Sequence, residues 1–126
     1  MIVAGFGFRS GAGLSSLRAA FLLAQQGRPP VTHLATVRGK LAALAPLAEA
    51  LGLPLTGVEP EALAAAPTLT RSTASLAAHG AGSVAEASAL AAAGIGAGLL
   101  GPRHISPDRM ATCALAIRAS AKGHST

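Results

Sequence analysis

The sequence predicts a single α/β domain with three layers, in which helices cover both faces of a mostly parallel sheet of about five strands. Short β-prone apolar segments alternate with helical segments along the chain, which is typical of such folds. The 126 residues have the size of one domain, and 51% of them are hydrophobic, enough to form a core. No repeat or linker divides residues 1–126, and we expect residues 119–126 to be a loose tail.

The first half of the chain predicts three strands that alternate with two helices. The apolar residues 2–4 predict a buried strand, and the β-branched side chains of residues 31–37 predict a second one. Residues 53–58 predict a third short strand. Residues 14–27 and 40–52 repeat apolar side chains at helical spacing and end at a glycine, which indicates two helices.

The second half of the chain predicts three more helices and two more strands. We expect helices at residues 59–67, 72–80 and 83–94, a strand at 95–100, a polar loop at 101–109 and a strand at 110–119. Ser72 is expected to cap the short middle helix. Ser83 and Glu86 have the S-x-x-E spacing of a capping box, in which each side chain bonds the backbone N–H of the other residue. The capping box explains the position of Glu86 without assigning it any chemistry.

The positive charge of the chain is concentrated in its first third. The formal net charge is +5, yet no acidic residue precedes Glu49. The basic residues before that point are Arg9, Arg18, Arg28, Arg38 and Lys40. The rest of the chain has five basic and five acidic residues, so the whole excess belongs to the first third. This asymmetry predicts an anionic partner for the first third, and the alternative is a solvated basic surface.

The composition argues against nucleic acid and membrane partners. Trp and Tyr are absent and there are three Phe, so we expect no stacking platform for single-stranded bases. The basic residues form no dense run. The longest uncharged run, residues 87–102, is rich in glycine and too short to span a bilayer. Arg9 interrupts the N-terminal apolar run, so no signal peptide is predicted.

Cysteine and histidine usage predicts a cytoplasmic protein without a metal or a cofactor. The one cysteine, Cys113, excludes a disulfide within the chain, which fits a reducing compartment. It lies in an apolar segment and is expected to be a small buried residue. The four histidines are scattered without the spacing of metal ligands. The sequence has no recognisable Ser-His-Asp triad and no recognisable catalytic pair of carboxylates, so the residues by themselves do not indicate an enzyme.

The sequence GFGFRSGAG at residues 5–13 predicts an anion site. It lies between the first strand and the first helix, where glycine allows close approach and the helix N-terminus offers free N–H groups. A dinucleotide fingerprint needs glycine where Ser10 stands, and an acidic residue where the second strand ends in Thr36 and Arg38. No Gly-Lys-Ser/Thr follows, so a phosphate-binding Walker loop does not fit either. The alternative is a tight turn that binds nothing.

Three motifs are spread over the chain. The first, G-x-G-[CF]-R-x-G, is matched by Gly5, Gly7, Phe8, Arg9 and Gly11. The second is a strand that ends near a basic residue, followed by L-x-x-L-A-x-x-L-G-x-P, and it is matched by Arg38, Leu44, Leu47, Ala48, Leu51, Gly52 and Pro54. The third, S-x(7)-G-x(3)-V-x-E-x-x-A-L, is matched by Ser72, Gly80, Val84, Glu86, Ala89 and Leu90. A basic residue then precedes the last strand, for which Arg103 is the candidate.

Together these motifs, over about residues 2–118, resemble the cobalamin-biosynthesis family of CobE and the C-terminal domain of the hydrolase CbiG. The resemblance implies that the chain binds a precorrin or corrin, a tetrapyrrole. Such intermediates carry acetate and propionate groups around an apolar macrocycle, which arginine forks and an apolar floor would suit. We expect Phe6 or Phe8 to lie against the macrocycle. The expected ligand-binding residues are Gly5, Gly7, Phe8, Arg9, Ser10, Gly11, Arg38, Lys40, Ser72, Glu86 and Arg103.

Three functions remain open at this point. The first is a carrier or accessory protein that binds the intermediate through the arginine-bearing glycine loop. The second, by analogy with the hydrolase, is an enzyme acting on a precorrin, with Glu86 as the candidate acid or base. The third is an adaptor that docks on another pathway enzyme through an exposed apolar patch. An alanine-rich helix face also suggests a homodimer.

Overall fold

The structure is a computed structural model that describes residues 1–119. Its elements are β1 (Ile2–Phe8), α1 (Leu14–Gln25), β2 (His33–Val37), a 3-10 turn (Arg38–Lys40), α2 (Leu41–Leu51), β3 (Leu55–Val58), α3 (Pro60–Ala65), α4 (Thr73–His79), α5 (Val84–Ala93), β4 (Gly98–Leu99), β5 (His104–Ile105) and β6 (Ala111–Ile117). None of the helices within residues 1–119 combines the length and the apolar character needed to cross a membrane. The predicted tail, residues 119–126, lies outside the described residues except for Ala119.

The strands form one six-stranded sheet in which five strands point the same way and one is reversed. The order is β3-β2-β1-β6-β4, with β5 paired to β6 beside β4. The β1–β2 and β2–β3 pairs are parallel, whereas β6 is antiparallel to β1, β4 and β5. The predicted α/β class is therefore confirmed, with a mixed sheet. The extra strand, β5, lies inside residues 101–109, which we expected to be a polar loop, because two residues show no periodicity.

Alternation along β1 divides the interior into two cores and produces the three layers. Successive side chains of a strand point to opposite faces of the sheet. Ala4 and Phe6 belong to the core under α1 and α2, and the Phe6 ring stacks on Phe21 with centroids 6.5 Å apart. Val3 belongs to the second core, which the alanines of α5 and Leu63 of α3 cover. We expected Phe6 or Phe8 to lie against the macrocycle. Phe6 is fully buried, so it cannot contact a ligand.

Helix α5 lies unusually close to β1 because small residues face each other there. A Cβ atom added to Gly5 would lie 2.1 Å from the carbonyl oxygen of Ala85 and 2.4 Å from the backbone N of Ala89. Gly5 and Gly7 are therefore residues of the strand, and Gly5 serves helix packing. This corrects the expectation that residues 5–13 form one glycine-rich anion loop: the turn begins at Arg9.

Candidate ligand-binding cleft

A cleft of about 420 Å³ opens at the carboxyl end of β1. In open α/β sheets, ligands bind outside the carboxyl ends of the parallel strands. Helix α4, the start of α5 and the turn that joins β5 to β6 form the other walls. The lining residues are Gly7, Phe8, Arg9, Ser72, Ala74, Ser75, Ala78, His79, Val84, Arg103, Ile105, Arg109, Met110, Ala111 and Thr112.

The cleft combines cationic side chains with an apolar surface. Arg9, Arg103 and Arg109 come from three separate segments of the chain. No carboxylate is among the lining residues, and within residues 1–119 none of the three arginines forms an ion pair. Apolar side chains, among them Val84 and Ile105, provide much of the remaining wall. Guanidinium groups bind carboxylates by charge-assisted, two-point hydrogen bonds, so the cleft suits an apolar body with acidic substituents.

Backbone hydrogen bonds place the Arg9 turn against the β5–β6 turn. The Arg9 N–H donates to the carbonyl of Met110 at 2.9 Å, and the Ala12 N–H closes a turn onto the Arg9 carbonyl at 3.0 Å. The Arg9 side chain is exposed at the mouth of the cleft. Ser10 and Gly11, which we expected to bind the ligand, lie at the exposed tip of this turn and do not line the cleft.

Gly7 keeps the floor of the cleft open. A Cβ atom at this position would lie 3.0 Å from Thr112 Oγ1 and 3.2 Å from the Cβ of Val84, both of which line the cleft. The neighbouring Phe8 is held by Lys40, whose Nζ donates to the Phe8 carbonyl and lies 4.9 Å from the centre of its ring. Lys40, expected as a ligand contact, therefore supports Phe8 and is not a lining residue.

Glu86 is fully buried behind the cleft and holds two of its loops together. Its Oε1 accepts hydrogen bonds from the backbone N–H groups of Leu69 (2.6 Å) and Thr70 (2.8 Å). Its Oε2 accepts from Thr70 Oγ1 and from the Arg103 N–H, the latter at 2.9 Å. Burial alone raises the pKa of Glu86, but the hydrogen bonds from Thr70, Arg103 and Leu69 outweigh it and lower the pKa below its ordinary value.

These contacts change the interpretation of Glu86. The Ser83 hydroxyl does accept from the Glu86 N–H at 3.2 Å, which is half of a capping box. The Glu86 carboxylate accepts no hydrogen bond from the Ser83 N–H and instead binds the two loops. The second hydrogen bond of the predicted capping box is therefore wrong. Because Glu86 is absent from the cleft wall and its carboxylate is already hydrogen-bonded, its geometry fits positioning of Arg103 better than acid–base chemistry.

The N-terminus of α1, expected to hold the anion, faces a carboxylate of the protein itself. Gly13 is the N-cap and provides no side-chain cap. Ser16, in the first helical turn, donates its hydroxyl hydrogen to Asp108 Oδ2. A negative charge at this end satisfies the helix dipole. The cleft lies instead beside Gly7 and α4.

Of the remaining residues predicted to contact the ligand, two line the cleft and two do not. Ser72 lines the cleft and also caps α4, since its hydroxyl accepts from the Ser75 N–H at 3.3 Å. Arg103, also expected to contact the ligand, lines the cleft. Arg38 pairs with Glu59 on the surface beyond the end of β2, outside the cleft lining. Gly5 lies beneath α5.

Arg109 and His79 are cleft residues that sequence reasoning did not find. The sequence Ser-Pro-Asp at residues 106–108 is a turn signal, yet nothing in it shows that the following arginine reaches the carboxyl end of β1. His79 is the last residue of α4 and reaches the cleft because α4 lies across it.

The buried thiol of Cys113 takes no part in the cleft. It is fully buried, as predicted, and burial raises its pKa, so it stays protonated near neutral pH. Among residues 1–119, no group of three or more His, Cys, Asp or Glu side chains has an arrangement that would hold a metal ion.

The chain matches the family model described as the cobalamin synthesis G C-terminus over residues 2–116. The crystal structure of CobE, a protein from the cobalamin (vitamin B12) biosynthetic pathway, is 34% identical with a TM-score of 0.83, covering 94% of this chain and 91% of that chain. The cobalamin biosynthesis protein chiG from Agrobacterium tumefaciens is 35% identical with a TM-score of 0.72, covering 95% of this chain and all of that one. No curated protein sequence gave a significant match.

Sequence and fold agree in this comparison. The family model and both similar structures extend over nearly the whole of the described chain, from β1 to β6. The chain therefore belongs to the cobalamin synthesis G C-terminus family and is a protein of cobalamin biosynthesis.

Proposed function

We propose that this protein binds a precorrin or corrin intermediate in the arginine-lined cleft and acts as its carrier or accessory protein. One observation carries the proposal: Arg9, Arg103 and Arg109 line one cleft together with apolar side chains, and no carboxylate is among the lining residues. Intermediates of this class present acetate and propionate groups at the rim of an apolar ring. The arginines would bind the rim, and the apolar wall beside Val84 and Ile105 would contact the ring.

The cleft chemistry favours a carrier over an enzyme. A catalyst needs a positioned acid, base or nucleophile. Ser75 and His79 lie one helical turn apart on α4, both on the cleft wall, and the Ser75 hydroxyl is buried without a hydrogen-bond partner. This pair is the observation that keeps a hydrolase as the second candidate. Within the described residues no hydrogen bond joins Ser75 to His79 and no carboxylate orients the imidazole, so the pair lacks the arrangement of an activated nucleophile.

An adaptor function would use a different surface. Ile95 is 99% exposed and lines a shallow apolar groove together with Leu90 and alanines of α3 and α5. Docking on another pathway enzyme, or pairing with a second copy of the chain, would cover such a side chain.

We place the protein in the cytoplasm as part of the proposal, because its free thiol at Cys113 fits a reducing compartment.

The proposal predicts that Arg9→Ala weakens ligand binding without affecting the fold. Titration of the protein with hydrogenobyrinic acid, followed by absorbance, should give a saturable spectral shift. Loss of one charge-assisted contact is expected to weaken the affinity about tenfold. Rising salt should weaken binding by the wild-type protein as well, because the contact at the cleft mouth is exposed to screening.

Arg18→Ala is the matched control, since Arg18 is an exposed arginine of α1 outside the cleft. It removes the same charge and should leave the affinity unchanged. An equal loss of affinity in both variants would mean that only net charge matters, and absence of any saturable shift with the wild-type protein would refute the proposal. A change in the mass of the ligand during incubation would instead favour the enzyme.

A further inference from the structure

Arg109 has a backbone conformation that side chains other than glycine rarely adopt. Its φ angle is +60°, and it is the only residue other than glycine with a positive φ within residues 1–119. The left-handed region is unfavourable for a residue with a Cβ atom. Such strain persists when the surrounding structure imposes it, and it is concentrated at functional sites. Arg109 is also one of the three arginines of the cleft.

The turn that carries Arg109 is held by the carboxylate of Asp108. Asp108 Oδ1 accepts hydrogen bonds from Ser106 Oγ at 2.6 Å and from the Met110 N–H at 3.0 Å. Asp108 Oδ2 accepts from Ser16 Oγ on α1. The Arg109 N–H closes the turn onto the Ser106 carbonyl at 2.8 Å. The carboxylate therefore ties both sides of Arg109 to helix α1.

The same turn is joined to the turn that carries Arg9. The Met110 carbonyl accepts the hydrogen bond from the Arg9 N–H at 2.9 Å. On the other side of the cleft, the backbone of Arg103 is held by buried Glu86. The backbones that carry the three cleft arginines are therefore each fixed before any ligand arrives. A ligand that binds these arginines therefore need not order the backbones that carry them, which lowers the entropy cost of binding.

We propose that Arg109 is a specificity-determining residue, and that the three arginines select an intermediate whose side chains are free carboxylic acids over one whose side chains are carboxamides. This inference rests on the proposed function. Each guanidinium group donates charge-assisted hydrogen bonds to both oxygens of a carboxylate. A carboxamide offers only one neutral acceptor oxygen, and its NH₂ group is a donor that cannot bond to a guanidinium N–H. The Asp108 carboxylate holds Arg109 in its unfavourable conformation toward the cleft, where the guanidinium serves the ligand.

The test compares Arg109→Gly with Arg109→Ala. Both variants remove the guanidinium group, but only glycine relieves the left-handed strain. We expect both variants to bind hydrogenobyrinic acid about tenfold more weakly than the wild-type protein. The melting temperature of Arg109→Gly should equal or exceed that of the wild-type protein, and it should exceed that of Arg109→Ala. A gain in stability together with a loss of affinity is not expected for a merely structural residue.

A second arm of the same experiment uses hydrogenobyrinic acid in which every carboxylate has been converted to a carboxamide. The wild-type protein should bind it at least about tenfold more weakly than the acid. Equal affinity for acid and amide, or full affinity of Arg109→Gly for the acid, would overturn this inference and leave the proposed function standing. No binding of the acid by the wild-type protein would overturn both.

Discussion

Glu86→Ala is expected to destabilise the protein by about 4 kcal/mol, or to prevent folding. The substitution removes the acceptor for three backbone N–H groups, those of Leu69, Thr70 and Arg103, and for the Thr70 hydroxyl. Each of these partly buried donors, left without a partner, costs about 1 kcal/mol. The loops that carry Ser72 and Arg103 would separate, so ligand binding should be lost together with stability.

Urea denaturation followed by circular dichroism measures this effect. Glu49→Ala is the control, because Glu49 is an exposed carboxylate on α2 and its removal should change the free energy of unfolding little. Glu86→Gln keeps the shape of the side chain but loses one acceptor oxygen, so it should fall between Glu86→Ala and the wild-type protein. A Glu86→Ala variant as stable as Glu49→Ala would show that water replaces the carboxylate and would contradict the role given to Glu86.

The same carboxylate predicts a direction for the pH dependence of stability. The pKa of folded Glu86 is lowered from its ordinary value of 4.5 by its hydrogen bonds, against the effect of burial. A lowered pKa stabilises the folded state above the ordinary value, and this contribution is lost as the pH falls toward the folded pKa. The free energy of unfolding should therefore decrease below about pH 4.5, with a smaller slope in Glu86→Gln.

Gly5→Ala is expected to have the second large effect, a loss of about 3 kcal/mol or more. The added methyl group would lie 2.1 Å from a backbone oxygen and 2.4 Å from a backbone nitrogen of α5. Because the clash is with backbone, no side-chain rotation relieves it. Helix α5 must then move away from the centre of the sheet, which opens the core around Val3 and Ala89.

Gly13→Ala provides the contrast within the same glycine-rich sequence. A Cβ atom at Gly13 meets nothing within 4 Å, and its φ of −92° suits any residue. The melting temperature of Gly13→Ala should stay close to that of the wild-type protein, while that of Gly5→Ala should fall strongly. Similar melting temperatures for the two variants would contradict the assignment of Gly5 to helix packing.

The helices and strands could be predicted well, because caps and the spacing of apolar side chains depend on residues that are close together in the sequence. Ser72 and Gly80 bound α4 as their residue types indicate, with a hydroxyl cap and a left-handed glycine. Gly52 ends α2 in the same way. The reversed direction of β6 could not be predicted, because periodicity shows which side chains are buried but not which way a strand runs.

The site was harder to predict because its residues meet only in three dimensions. Arg9, Ser72 and Arg103 were expected near a ligand and do line the cleft. Arg38 has the same local signal as Arg9, at the end of a strand, but Glu59 pairs with it. The sequence also does not show that the Glu86 carboxylate binds the loop of Arg103, or that Asp108 bonds Ser16 in the first turn of α1.

Amide chemical shifts of the ¹⁵N-labelled protein, recorded as hydrogenobyrinic acid is added, would locate the bound ligand residue by residue, which a 12.3 kDa chain allows. If the ligand binds in the cleft beside Gly7, the amides of Gly7, Arg9, Arg103 and Arg109 should shift, with little change in α2 and β3. Shifts confined to the first turn of α1, or to the surface around Ile95, would contradict binding in this cleft.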